Sequence, residues 1–225
     1  MKYDTVIFDL DGTLLNTLED LAAADNYALA QYGLPQLDLD TVRRYIGRGV
    51  RNLMMKSVYG PAFEERFGKD PVDADTFEAI FQCYRRYYSE HVNDRTCTYD
   101  GIPELVEKLR REGCRLAVLS NKYDQAVKDL IKAHFGDVFE VVLGQRKGVP
   151  KKPDPAAVHE IMEQLGAVPE RTVYIGDSDV DVKTAENAGT GSIICLWGFR
   201  GREELLEAGA EVLAEKPEDI WTCMQ

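Results

Sequence analysis

The 225-residue sequence predicts an α/β protein, a doubly wound parallel sheet with a small all-helical domain inserted after its first strand. Three observations carry this prediction. Thr5-Val6-Ile7-Phe8 is a short β-branched and apolar run, as a strand buried on both faces requires, and it leads directly into acids. From about residue 99 onward, strand-like and helix-like patterns alternate, which is the signature of βαβ units. Between Asp38 and His91 the periodicity is helical throughout, with no strand signal, so this stretch stands apart from the sheet. Residues 1–15 and 93–225 are therefore assigned to the α/β core and residues 16–92 to the inserted helical domain.

After the opening strand, Thr17 is placed to cap a helix running through Leu18, Leu21, Ala22, Ala28 and Leu29 and ending near Gly33-Leu34-Pro35. In the helical stretch, Val42, Tyr45 and Ile46, then Val50, Leu53 and Met54, then Phe77, Ile80, Phe81, Tyr84 and Tyr88 recur at three- and four-residue spacings. Its breaks are Gly47-Arg48-Gly49, Gly60-Pro61 and Gly68 to Pro71. The aromatic series Phe77, Phe81, Tyr84, Tyr87 and Tyr88 reads as core packing of this domain or as a dimer face. Downstream, strands are predicted at 115–119, 139–143, 172–175 and 191–196, with helices at 102–112, 124–133, 155–165 and 179–188 between them. Right-handed crossovers bring the carboxyl ends of such strands, and the ligand crevice, to one edge of a Rossmann-like sheet.

Composition narrows the function classes. With 44% apolar and 29% charged residues the chain falls among ordinary globular proteins, and no run approaches the ~18 apolar residues of a membrane span. A formal net charge of −12 repels phosphate backbones and anionic lipid, which argues against nucleic-acid and membrane partners. The five cysteines are scattered and show no Cys-x-x-Cys spacing, as expected of reduced thiols in the cytoplasm, and the three histidines match no metal-ligand spacing. A small-molecule partner and a monomer or homodimer are expected.

The chemistry-bearing residues follow the strands. Asp9 and Asp11 stand one residue apart at the end of the first, and positions i and i+2 of an extended chain face one side. Two crowded carboxylates repel unless a cation or a shared proton relieves them. Gly12 follows, where the chain must turn sharply. The second strand ends at Ser120-Asn121, the third leads to the basic island Arg146-Lys147 and Lys151-Lys152-Pro153, and the fourth ends at Gly176-Asp177-Ser178-Asp179-Val180-Asp181. Brought to one edge, these residues form a site for a phosphate and a divalent cation. Mg²⁺ takes one or two carboxylates, which Asp9 and Asp177 can supply, plus waters and phosphate oxygens. A lysine and a serine hydroxyl stabilise the non-bridging oxygens during transfer. Asp179 reads as an acid favouring a helix N-terminus, and Arg146, Lys147 and Lys151 as a solvated charge run.

Together, Asp9-Leu10-Asp11-Gly12-Thr13-Leu14, Ser120-Asn121, Lys152-Pro153 and Gly176-Asp177-Ser178-x-x-Asp181 resemble the four motifs of the haloacid dehalogenase superfamily of phosphohydrolases, in order and across essentially the whole chain. The helical insert looks like the cap of the phosphoglycolate phosphatase-like subgroup, with Tyr45-Ile46-Gly47-Arg48-Gly49 resembling the cap loop whose Gly47, Arg48 and Gly49 help read the substrate. The resemblance implies that Asp9 attacks phosphorus to give an aspartyl-phosphate, and that Asp11 protonates the leaving alkoxide and then activates water. It implies Mg²⁺ held by the side chains of Asp9 and Asp177 and the backbone carbonyl of Asp11, supported by Asp181 from outside the ligand set. Thr13, Ser120, Asn121 and Lys152 would hold the phosphoryl group. Lys152, which directly precedes proline, takes the lysine role over Lys151. Two departures touch the cap hinges: Asn16-Thr17 where the family commonly has Asp-Ser, and Asp100-Gly101 where it has Pro-Gly.

The implied activity is a Mg²⁺-dependent phosphatase of a small phosphorylated metabolite, with phosphoglycolate first among substrates and pyrophosphate a second. A sugar-phosphate phosphomutase-type transfer, in which the phosphoryl of Asp9 passes to a second sugar hydroxyl, needs almost the same residues. A non-enzymatic phospho-receiver fits less well, since its lysine should follow the last acid-bearing strand and it needs no helical cap.

Overall fold

The computed structural model of the chain describes residues 2–68 and 72–225. It divides into two compact units, one formed by the chain up to Asn16 and from Cys97 to Gln225, the other by Thr17–Thr96. The strands are β1 (Thr5–Phe8), β2 (Leu15–Asn16), β3 (Cys97–Thr98), β4 (Arg115–Tyr123), β5 (Val141–Gln145), β6 (Thr172–Gly176), β7 (Gly191–Cys195) and β8 (Leu213–Ala214). The helices are α1 (Leu18–Gln31), α2 (Leu39–Tyr45), α3 (Val50–Tyr59), α4 (Phe63–Arg66), α5 (Ala74–Glu90), α6 (Ile102–Arg111), α7 (Asp124–Phe135), α8 (Ala156–Leu165), α9 (Asp179–Ala188), α10 (Arg202–Glu207) and α11 (Pro217–Cys223).

In the first unit, six strands form one sheet in the order β5-β4-β1-β6-β7-β8, with every pairing parallel. β1 lies inside it, Thr5 level with Arg115 and Thr172, and Phe8 level with Val118 and Ile175. All four β1 residues are buried, which explains its continuous apolar run rather than an alternating one. Ile7, Ala117, Tyr174, Val158, Ile161 and Ala185 pack into the core on one side of the sheet. β4 extends past the predicted end at residue 119, through Ser120-Asn121-Lys122 to Tyr123, with a register irregularity after Leu119. β8, at the sheet edge, is only two residues long, too short for periodicity to announce it. The two crossings into the helical unit are tied by the antiparallel pair β2–β3, Leu15 opposite Thr98 and Asn16 opposite Cys97.

The helical unit comprises α1 to α5. Asp38 and Asp73 cap α2 and α5 by accepting the amides of Thr41 and Thr76, each at 2.7 Å. Thr17 stands at the start of α1 as expected, but its side chain makes no capping hydrogen bond. Phe77, Tyr84 and Tyr88 of the aromatic series are buried, and Phe77 packs with Tyr59, Phe67 and Phe81. Tyr87 stacks on Tyr27 of α1 and on His91, each at 4.2 Å between ring centroids. The unit runs on to Thr96, four residues beyond the expected boundary, because the buried Asp20 of α1 accepts the amides of Arg95 and Thr96 and the Thr96 hydroxyl. Of the break expected from Gly68 to Pro71, residues 69–71 lie outside the described residues. Among the described residues no helix is long and apolar enough to cross a membrane, and all five cysteines are free thiols.

Candidate active site

Because β4, β1 and β6 are adjacent and parallel, the residues following them meet at one edge. The chain leaving β1 turns tightly, the Leu10 carbonyl accepting the amides of Leu14 and Leu15 at 3.0 Å. Gly12 makes this turn at φ +86°, and a Cβ there would lie 2.3 Å from the Asp177 carboxylate, so no other residue fits without displacement.

Asp9, Asp177 and Asp181 are buried, and one carboxylate oxygen from each lies within 4.8 Å of the others. Lys152 Nζ, equally buried, sits 2.9 Å from Asp9 Oδ1 and 2.8 Å from Asp181 Oδ1, and it donates to the Tyr174 hydroxyl at 3.0 Å. Tyr174 lies beneath it and donates in turn to the Leu119 carbonyl at 3.2 Å. Asp181 turns its other oxygen to the start of α9, accepting the Ser178 hydroxyl at 2.6 Å and the amides of Ser178 and Asp177. That pattern is a capping box, and it makes Asp181 the link between helix and lysine. Asp179 also stands in the first turn of α9, 3.9 Å from the buried Arg200.

The electrostatics follow from burial. Desolvation pushes the Asp9 carboxyl up to about 7; Lys152 opposes this, while Asp181 and Asp11 add repulsion. Asp177 is raised well above the carboxylate range, first by burial and then by Asp181 and Asp9, against the Phe199 amide and Arg200. For Lys152, burial disfavours the charge, but Asp181 and Asp9 outweigh it and hold the ammonium firmly protonated. Buried carboxylates this close, with neither thiolate nor imidazole among them, fit a hard divalent cation that would relieve their mutual repulsion.

Not every expected residue stands where the spacing implied. Asp9 and Asp11 were expected to face one spot, but they are drawn to different cations: the Asp11 carboxylate lies 2.7 Å from Lys122 Nζ and is not among the clustered three. Asn121, expected on the phosphoryl group, uses its side chain to hold the backbone of Lys152, accepting its amide at 2.9 Å and donating to its carbonyl at 3.2 Å. Ser120 Oγ accepts the Lys122 amide at 3.1 Å. Thr13 is buried, its hydroxyl 3.5 Å from Asp177. Gly47, Arg48 and Gly49 belong to the helical unit, between α2 and α3, with Gly49 at the α3 N-cap.

Three further contributors stand outside the sequence motifs. Lys122 directly follows Ser120-Asn121, so its position beside the motif was the available signal. Tyr174 is a polar-tipped residue between the apolar Val173 and Ile175 of β6. The segment after β7 brings the Phe199 amide to 2.6 Å from Asp177 Oδ2 and the Trp197 indole N–H to the Thr13 carbonyl at 3.1 Å. Gly198 permits that approach, since a Cβ would lie 2.3 Å from Asp177 Cβ. A glycine three residues beyond the end of β7 was the only hint of it.

Comparison with known proteins agrees with this geometry. Residues 6–195 match the family model for haloacid dehalogenase-like hydrolases. A phosphoglycolate phosphatase of Thiobacillus denitrificans is 34% identical over 215 residues, covering 93% of this chain and 92% of the relative. One from Aquifex aeolicus is 33% identical, covering 86% and 85%. The pyrophosphatase PpaX of Bacillus mycoides is 29% identical, covering 98% and 96%. A crystal structure from Lactobacillus delbrueckii subsp. bulgaricus superposes with a TM-score of 0.92 at 33% identity, covering 100% of this chain and 99% of that one. A parallel sheet with its acids at one edge, an inserted helical unit and a family match spanning both identify the chain as a member of the haloacid dehalogenase-like hydrolase family.

Proposed function

We propose that this hydrolase is a Mg²⁺-dependent phosphatase of a small phosphorylated metabolite, with phosphoglycolate the first candidate, acting through an aspartyl-phosphate on Asp9. The observation that carries the reading is the buried arrangement of Asp9 beside Lys152, with Asp177 and Asp181 adjacent. In this reading an Asp9 oxygen attacks phosphorus in line, and the bond from phosphorus to the leaving oxygen breaks as Asp11 supplies that oxygen with a proton. Asp11, now a carboxylate, takes a proton from water; the hydroxyl attacks the phosphorus of the acyl phosphate, releasing inorganic phosphate and restoring Asp9. Lys152, Thr13 and Ser120 face the phosphoryl oxygens, where fixed positive charge and hydrogen bonds stabilise the transferring group. Mg²⁺ would be held by the carboxylates of Asp9 and Asp177 and the Asp11 backbone carbonyl, and supplies further neutralisation of the phosphoryl charge when bound. Asp181 keeps Lys152 in place, Asn121 fixes that lysine's backbone, and Gly47, Arg48 and Gly49 are the candidate readers of the substrate.

Pyrophosphate is the second reading, favoured by the likeness to the Bacillus mycoides pyrophosphatase. The net charge of −12 supports a small-molecule partner over nucleic acid or an anionic membrane surface. The deciding experiment is phosphate release from phosphoglycolate, pyrophosphate, hexose phosphates and nucleotides, each with Mg²⁺ and with EDTA. Metal-dependent release concentrated on phosphoglycolate is expected. Isomerisation of a β-hexose 1-phosphate without free phosphate would replace the phosphatase reading with a phosphomutase.

A further inference from the structure

The site contains two buried lysines, and the chemistry above uses one. Lys152 serves Asp9 and Asp181. Lys122 is buried to the same degree, its side chain 2% exposed, yet it stands on Asp11, the acid assigned to the leaving oxygen, with Nζ 2.7 Å from Oδ1. A buried ammonium is costly unless paired, and transfer of the phosphoryl group itself calls for charge on the Asp9 side. Lys122 is also held in place locally. Between Leu119 and Tyr123 β4 advances four residues while β5 advances two, from Leu143 to Gln145. Such an irregularity re-aims side chains next to a site. Ser120 Oγ then pins the Lys122 amide at 3.1 Å.

We infer that Lys122 is a specificity-determining residue that selects substrates whose leaving group carries its own negative charge. The inference rests on the roles given to Asp9 and Asp11 above. An oxygen hydrogen-bonded to the Asp11 carboxyl lies on the order of 5–8 Å from Nζ. A carboxylate one carbon away from that oxygen, or a second phosphoryl group directly on it, comes within hydrogen-bond reach of the ammonium. Glycolate and phosphate, the leaving groups of the two candidate substrates, both meet this requirement, whereas a simple alcohol does not. The discrimination arises because an anionic leaving group adds a charge-assisted hydrogen bond to the ammonium that a neutral leaving group cannot make.

The test compares phosphoglycolate with ethyl phosphate, which replaces the carboxylate by a methyl group, in the Mg²⁺-loaded wild-type chain and in Lys122→Met and Lys122→Arg. The wild type should prefer phosphoglycolate in kcat/KM, and Lys122→Met should lower the phosphoglycolate-to-ethyl-phosphate ratio roughly 10- to 100-fold, the range of a charged hydrogen bond. Lys122→Arg should restore part of the ratio. Equal losses on both substrates would overturn the inference and leave Lys122 as a positioning residue for Asp11. Turnover of both by the wild type without preference would overturn it while leaving the phosphatase reading intact, whereas turnover of neither, nor of any phosphate ester in the panel, would remove both. Should Lys122→Met fail to fold by circular dichroism, the wild type still decides: glycolate must inhibit competitively at concentrations where ethanol does not, and equal behaviour of the two overturns the proposal.

Discussion

Asp9 in the α/β unit and Asp25 in the helical unit are both buried carboxyls pushed up to about 7, and burial is the largest cause in each. Their surroundings differ. Asp9 has Lys152 at 2.9 Å and two further acids close by, so its charge is contested by several groups that could act on a ligand. Asp25 has one hydrogen-bond partner, the Ser57 hydroxyl at 2.8 Å, and its Oδ1 has none. Asp20, five residues earlier in α1, shows a third outcome: its buried carboxylate is satisfied by the amides and hydroxyl of residues 95 and 96. A raised carboxyl therefore marks burial, and only the company of a cation and further acids marks a site for chemistry.

The comparison can be broken most sharply at Asp9. Asp9→Asn should lower kcat by roughly 10³-fold or more, as loss of a covalent nucleophile does, while circular dichroism and melting show the fold retained. Appreciable residual turnover would remove Asp9 from the nucleophile role. Asp177→Asn should raise the Mg²⁺ concentration for half-maximal activity by roughly 10- to 100-fold, and an unchanged metal titration would count against a ligand role. Tyr174→Phe keeps the ring and removes one of the partners of Lys152, so kcat should fall only about 2- to 10-fold, the worth of a neutral hydrogen bond. A larger fall would mean that the hydroxyl does more than position the lysine.

Asp25 provides the complementary test, on stability. Its folded carboxyl titrates near 7, above its unfolded value of about 4, so the folded chain holds the proton more tightly. The associated stability is fully present below about pH 4 and is lost as pH rises through about 7, an effect of up to ~4 kcal/mol. Urea unfolding at pH 5 and pH 8 should show this slope in the wild type, and Asp25→Leu should reduce it, leaving the share of Asp9 and Asp177, without lowering kcat. A lowered kcat at fixed pH would tie Asp25 to the chemistry and dissolve the contrast with Asp9.

Much of this was legible in local pattern. The run Thr5 to Phe8 could only be a strand buried on both faces, and the helix at 179–188 is observed as Asp179–Ala188. The choice of Lys152 over Lys151 came from the family resemblance, in which the lysine directly precedes proline, and Lys152 Nζ lies 2.9 Å from Asp9 and 2.8 Å from Asp181. Asp25, falling three and four residues from Ala22, Ala28 and Leu29, sits on an apolar face that makes its burial readable.

By itself, the sequence determined the order of strands and helices and the delivery of acids, lysine and hydroxyls to the strand ends, because strand burial and helix periodicity are properties of neighbouring residues. Only the tertiary structure decided which cation meets which acid. Lys122 and Asp11 are 111 residues apart and Lys152 and Asp181 are 29 apart, and Phe199 reaches Asp177 through a backbone amide that no side-chain pattern reports. Those pairings depend on the register of parallel strands and on the irregularity in β4, and such long-range geometry leaves no period in the chain.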